Sequence, residues 1–361
     1  MIKKISNCFD KLPVNYGRQA ELDIAKGFTI ILMAFSHGIE ILGWFFDPST
    51  PEGFFWGGFD MLIKVMAPVF IFCMGITISY SHSQTAGGLL RRALKLGEIM
   101  LLLELSRTVV PNLTEWLIFR DYESMIYVNQ LFCVDILQFA TLAFLLIALL
   151  KYLGLGPIAM IAVGALMSVL GQLLSGVSFE SEALNYAVGY LWYSHDIAYF
   201  PLLSWFIVPV LGYAAGQLWL RIKDKATFFK YVTPICFITG LLYFLSMDLI
   251  GKWYYFSNEN YCAIGILDVI FMFIIFLAFV GCCYYVNKYL GSVASFFASM
   301  GGRLNSIYCI HWTVYAFLYL TLLCVMGENY LPLWTVVPVA LAVVILSDAL
   351  SRLYKKFSGK R

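Results

Sequence analysis

Ten long apolar runs follow one another along this chain, and nothing else restricts its fold as strongly. A helix needs roughly 20 mainly apolar residues to cross the hydrocarbon of a bilayer. Runs of that length lie near 27–46, 58–80, 93–110, 130–151, 156–175, 198–220, 231–250, 263–286, 305–326 and 332–351. With 61% hydrophobic and 13% charged residues and a mean hydropathy of +0.80, the chain has too little polar surface to cover a water-soluble fold. An outer-membrane barrel would alternate in segments of about 10 residues, and the sequence shows no such pattern. Backbone polar groups must be satisfied within each spanning segment, so the expectation is an all-α polytopic membrane protein of about ten transmembrane helices.

Positive charge sets the expected orientation. With the first 26 residues inside, 20 of the 24 basic residues fall on the cytoplasmic side, among them Arg91, Arg92, Lys151, Arg221, Lys288, Arg303 and the tail. Arg107, Arg120 and Lys252 fall at outer ends, Lys64 inside a span, and the outer connections carry acids such as Asp47, Glu52, Glu180, Asp196 and Glu259. One span missed or invented would destroy this alternation. Both termini are therefore expected in the cytoplasm, in a cell membrane (plasma or inner). The layout is a short amphipathic lead at 1–22, one membrane domain at 23–351 and a basic tail at 352–361. The polar start is expected to carry no cleavable signal. A net charge of +2 reflects topology and implies no nucleic-acid partner. Nine cysteines without Cys-x-x-Cys spacing argue against a zinc site or a disulfide framework.

An ionisable side chain at the centre of a spanning helix costs about 2.5–3.5 kcal/mol on insertion scales, so each one asks for a reason. On the first span, Lys26 and His37 are eleven residues apart, close to three helical turns, which puts them on one face about 16 Å apart. Asp23 and Glu40 extend the same stripe outward in both directions. This resembles one wall of a polar passage, with His37 as a general base and Glu40 orienting it. Packing of His37 and snorkelling of Lys26 stand as the plainer alternative.

Further along, Asp60 and Lys64 read as an ion pair. Glu104 with Arg107, and Asp135 with Gln138, read as a mixture of interhelical glue and passage lining. Arg91 and Arg92 open a helix on the cytoplasmic side, where they suit phosphate and equally serve as a topology signal. Tyr308, His311 and Tyr315 share a face of the ninth span, so two membrane histidines on distant helices point to one shared cavity, with packing as the alternative. In the outer connections 111–129 and 176–197, aromatics such as Trp116, Tyr122 and Trp192 are an interfacial belt or a sugar-stacking platform.

Four stretches carry a family resemblance. Asp23-x-x-Lys26-Gly27 followed by His37 is similar to the first-helix signature of acyltransferase family 3, in which a basic residue precedes an activity-essential histidine by eleven positions. Pro68-x-Phe70-x-Phe72-x-x-Gly75 resembles that family's second helix, and Asn305-Ser306-Ile-Tyr308-x-x-His311 its late Tyr/His helix. Tyr199-Phe200-Pro201 through Ser204-Trp205, leading to Gly212-Tyr-x-x-Gly216, is similar to the related heparan-glucosaminide N-acetyltransferase-like branch.

The resemblance implies an enzyme that moves an acyl group, acetyl in the first instance, from cytoplasmic acyl-coenzyme A (acetyl-CoA) to a hydroxyl or amine of an extracytoplasmic glycan or lipid-linked sugar. Lys26, Arg91, Arg92 and Asp23 are the candidates for the coenzyme. His37, Glu40, His311 and Tyr308 are the candidates for catalysis, and Asp135, Gln138, Asn305 and Trp192 for the acceptor. No metal is implied, and homo-oligomer formation stays open. The alternative is a transporter or exporter of a polar metabolite or sugar, which would also line its helices with such groups.

Overall fold

The computed structural model describes residues 2–43, 51–81, 84–120, 130–250, 260–327 and 330–359. Asp47, Tyr122, Lys252, Glu259, Lys360 and Arg361 lie outside the described residues, as do the side chains of Glu52 and Asp60. The helices are α1 (Ile2–Ser6), α2 (Ala20–Leu42), α3 (Pro51–Tyr80), α4 (Ala86–Glu104), α5 (Val110–Phe119), α6 (Ile136–Tyr152), α7 (Pro157–Leu174) and α8 (Glu182–Gly189). They continue as α9 (Leu202–Trp205), α10 (Ile207–Trp219), α11 (Lys225–Ile250), α12 (Ile266–Tyr289), α13 (Gly291–Gly301), α14 (Leu304–Met326) and α15 (Leu333–Ser358).

The protein is an all-α, multi-pass membrane protein. Among the described residues, eight segments are long and apolar enough to cross a bilayer: α2, α6, α7, α9 with α10, α11, α12, α14 and α15. The second and third of the ten expected spans coincide with α3 and α4. α4 carries Arg91, Arg92, Lys95 and Glu98 within its length, which lowers its hydropathy below that of its neighbours.

Three local features depart from simple periodicity. Between α4 and α5 the backbone widens into a π-helical turn, Leu105–Val109. Pro111 follows in the first turn of α5. Its ring has no N–H and crowds the carbonyl four residues back, at Arg107, so a wider turn there relieves the clash. The fourth span covers Gln130–Tyr152, and within it the α-helix begins only at Ile136, because Asp135 caps α6 by accepting the Ile136 N–H at 2.6 Å. Finally, the connection between the eighth and ninth expected spans contains an 11-residue helix, α13, too short and too rich in Gly and Ser to read as a span.

The backbone divides into two compact units. The first comprises Met1–Gln19, Pro68–Met100 and Phe132–Val286. In it, α10 lies against the second half of α3 with almost no space between the backbones. A Cβ at Gly75 would meet Pro209, one at Gly212 would meet Phe72, and one at Gly216 would meet Ser79. The amphipathic lead docks on the end of α10: Asp10 N–H donates to the Arg221 carbonyl and Val14 N–H to the Leu220 carbonyl, both at 2.8 Å. Lead and α10–α11 connection thus share one side of this unit, as their common basic character requires.

The second unit comprises Ala20–Ala67, Leu101–Leu131 and Asn287–Arg361. α2 is its central helix, packed by α13, α14 and α15. At the end of α2, Leu331 N–H donates to the Leu42 carbonyl at 2.7 Å. At the opposite end Arg303 pairs with Asp348, which also holds Arg352 at 2.8 Å. Tyr315, fully buried, donates its hydroxyl to the Ala34 carbonyl at 2.8 Å, and Gly38 leaves room for the ring. Leu42, Val336 and Val343 complete this core.

Candidate functional site

α2 begins with acids in its first turn, favourable beside the positive end of the helix dipole. Lys26 Nζ sits 2.7 Å from Asp23 Oδ1, with both side chains mostly buried. Immediately after them Gly27 crosses α13 so closely that a Cβ would run into the Phe297 carbonyl. A Cβ on Gly301 would likewise meet the Asp23 carbonyl.

Three turns further, His37 meets His311 of α14, 274 residues away in sequence: Nδ1 of His37 lies 2.9 Å from Nε2 of His311. The rings are close to parallel, 11° apart, with centroids 5.2 Å apart. His311 is fully buried, and its Nδ1 lies 3.0 Å from the Ile307 carbonyl. A carbonyl oxygen only accepts, so His311 carries its proton on Nδ1. With His311 neutral, its Nε2 accepts and His37 Nδ1–H donates. A neutral His37 in this arrangement has its lone pair on Nε2, the nitrogen needed for a base or a nucleophile.

The Trp312 indole packs on the other neighbour of this pair, its centroid 4.3 Å from that of His37. Over Trp312, at 4.8 Å, lies the guanidinium of Arg107. Arg107 comes from the π-helical turn and is held by Glu104, whose Oε1 is 2.6 Å from Nη2 and 3.1 Å from Nε. Thr108 donates its hydroxyl to the other Glu104 oxygen at 2.9 Å, and Ser106 joins α14 through Thr313 at 2.9 Å. Tyr308, buried, sets its ring edge-on to His311 at 5.4 Å. One unit therefore gathers two histidines, an indole and a buried ion pair.

That ion pair gives a stability prediction. The Arg107 and Glu104 side chains are only 8% and 7% exposed, and removing one partner of a buried pair strands the other charge at about 3–5 kcal/mol. Glu104→Ala is expected to lower the melting temperature of the detergent-solubilised protein and its membrane yield. An unchanged melting temperature would show that solvent reaches Arg107.

The other sequence-derived candidates have their own surroundings. The Nδ1 partner of His37 is His311, while Glu40, expected to orient the ring, is exposed. Asn305 is exposed as well. In the first unit Arg91 is exposed, and Arg92 turns inward, its guanidinium 4.4 Å from the Phe144 ring. Asp135 caps α6, Gln138 is buried, and Trp192 donates its Nε1–H to the Val177 carbonyl at 3.0 Å. His195, in the connection after α8, was not singled out by the sequence. Both its ring nitrogens are buried without a partner among the described residues, and burial holds its imidazole below the ordinary range against the opposing pull of Asp196.

Nothing in the sequence marks Trp312, and Arg107 reads there as interhelical glue or passage lining. The one available signal was the Glu104/Arg107 spacing inside an apolar helix. Among the described residues no three His, Cys, Asp or Glu side chains form a metal-binding group.

Comparison with curated proteins gives no match, and comparison with solved structures gives none. The family described as Heparan-alpha-glucosaminide N-acetyltransferase, catalytic, matches residues 18–248, more than half of the chain and including α2 with Lys26 and His37. The chain therefore belongs to the heparan-alpha-glucosaminide N-acetyltransferase catalytic family, and is a multi-pass membrane protein of acetyltransferase type.

Proposed function

We propose that this protein takes an acetyl group from cytoplasmic acetyl-CoA and transfers it to a hydroxyl or amine of an extracytoplasmic glycan or lipid-linked sugar, with His37 as the base or nucleophile. The observation that carries this reading is the hydrogen bond from His37 to His311. It supports a neutral imidazole with its lone pair on Nε2, the form that proton or acyl transfer requires, and the Ile307 carbonyl fixes the tautomer of His311 from behind. Family membership favours acyl transfer over the transport alternative.

The donor carries several phosphate charges, which keeps its nucleotide end at the inner face, where Arg91 and Arg92 stand by the charge distribution. Its narrow acyl-bearing arm alone needs to enter the membrane. The acceptor approaches from the opposite side, so the two substrates need not compete for one entrance.

Thermal stabilisation by acetyl-CoA tests the reading. A ligand at 100 times its Kd adds about 2.7 kcal/mol to stability, a shift that is easily measured on purified protein. Arg91→Gln with Arg92→Gln is expected to weaken that stabilisation while leaving the unliganded melting temperature nearly unchanged for Arg91→Gln alone. Absence of any shift with the parent protein would return the transport alternative.

A further inference from the structure

We infer that the indole N–H of Trp312 is a catalytic hydrogen-bond donor, placed to hold the oxyanion that develops on the thioester carbonyl. This rests on the proposed acyl transfer at His37 and adds a residue to it.

Buried polar groups in folded proteins almost always find a hydrogen-bond partner, so an orphan next to reactive groups asks for an explanation. Trp312 Nε1 is such an orphan: it is buried and has no partner among the described residues. Of the buried donors in that state, this one belongs to a ring in contact with the histidine pair, 4.3 Å from His37 and 5.7 Å from His311 between centroids. A donor that is unused in the resting protein and stands beside the attacking group matches what an oxyanion site needs. It costs no reorganisation when charge appears, and it bonds the transition state better than the ground state.

The surroundings strengthen the donor. The Arg107 cation lies 4.8 Å over the same indole and draws electron density from it, which makes the N–H more polar. Glu104 and Thr108 fix Arg107 on the π-helical turn, so the cation cannot drift into the reaction path. π-helical turns recur at functional sites, where they re-aim a side chain.

In the step we assign, the acceptor oxygen or nitrogen bonds to the thioester carbon as His37 Nε2 takes its proton. The carbonyl π electrons move to oxygen, which accepts the Trp312 N–H. When the oxyanion collapses, the carbon–sulfur bond breaks, the acetyl group stays on the acceptor, and the thiolate of coenzyme A leaves with the proton from the imidazolium. Atoms and charge balance, and no further reactant is needed.

The test uses the full chain in lipid vesicles with acetyl-CoA as donor and glucosamine as acceptor probe, reading thiol release. Trp312→Phe keeps an aromatic ring against His37 and removes only the donor. It is expected to lower kcat by roughly 10²–10³-fold with little change in KM for acetyl-CoA or in melting temperature. Replacing Trp312 by benzothienylalanine, which keeps the bicyclic ring and substitutes sulfur for N–H, should give the same loss. Parental kcat in both variants, with His37→Ala inactive, overturns the role of Trp312 and leaves the acyl-transfer reading intact. No thiol release by the parent above vesicles without protein, or full release by His37→Ala, overturns that reading and the Trp312 role with it. A loss confined to KM or to stability would make the indole a packing group, which also overturns it.

Discussion

His37→Ala is expected to abolish acyl transfer, by a factor of at least about 10²–10⁴, the usual contribution of a positioned general base. The variant also removes the donor that His311 Nε2 accepts from, so a disturbed core contributes to any loss. His37→Asn separates the two effects. Its side-chain amide occupies the place of Nδ1–H and can still donate to His311, but nothing replaces Nε2. The expected result is a melting temperature close to the parent's and no transfer. Substantial transfer by the Asn variant would remove His37 from the chemistry and reduce the pair to a packing contact.

Gly27→Val is expected to have the largest effect on folding. The α2–α13 crossing brings backbone against backbone, and a side chain at Gly27 or at Gly301 has no flexible neighbour to push aside. Overpacking a tight contact typically costs about 1–3 kcal/mol and sometimes more, and here the displaced atoms are the carbonyls of Phe297 and Asp23. Gly27→Val and Gly301→Val should each reduce the monodisperse fraction after detergent extraction by several-fold. Gly17→Ala, with open space around the new Cβ, should behave as the parent. Normal yield of Gly27→Val would mean that α13 does not need to approach α2 so closely.

How much of this was legible beforehand differs from residue to residue. The shared face of Tyr308, His311 and Tyr315 follows from 3.6 residues per turn, and all three are buried on α14. The Lys26–His37 stripe follows from the same arithmetic. Asp135 shows the limit: in the sequence it reads as interhelical glue or passage lining, and the capping bond that it accepts from the Ile136 N–H is not legible there. Trp192 is a similar case, since an indole in an outer connection says nothing of the Val177 carbonyl it holds. α13 was illegible because an 11-residue helix has neither the length of a span nor a strong period. The π-helical turn was illegible because Pro111 announces a disturbance without saying how the turn before it relaxes.

The sequence by itself determined that the chain lives in lipid, where its spanning segments lie and which ends its charges favour inside. The cost of placing each side chain in hydrocarbon is local and nearly independent of partners. Only the tertiary structure decided which polar groups meet: that His37 faces His311 across 274 residues, and that Arg107 reaches Trp312. Those contacts depend on how close two backbones come and on the rotation of each helix about its axis. Both are set by small residues such as Gly27, Gly38 and Gly301 acting on distant partners.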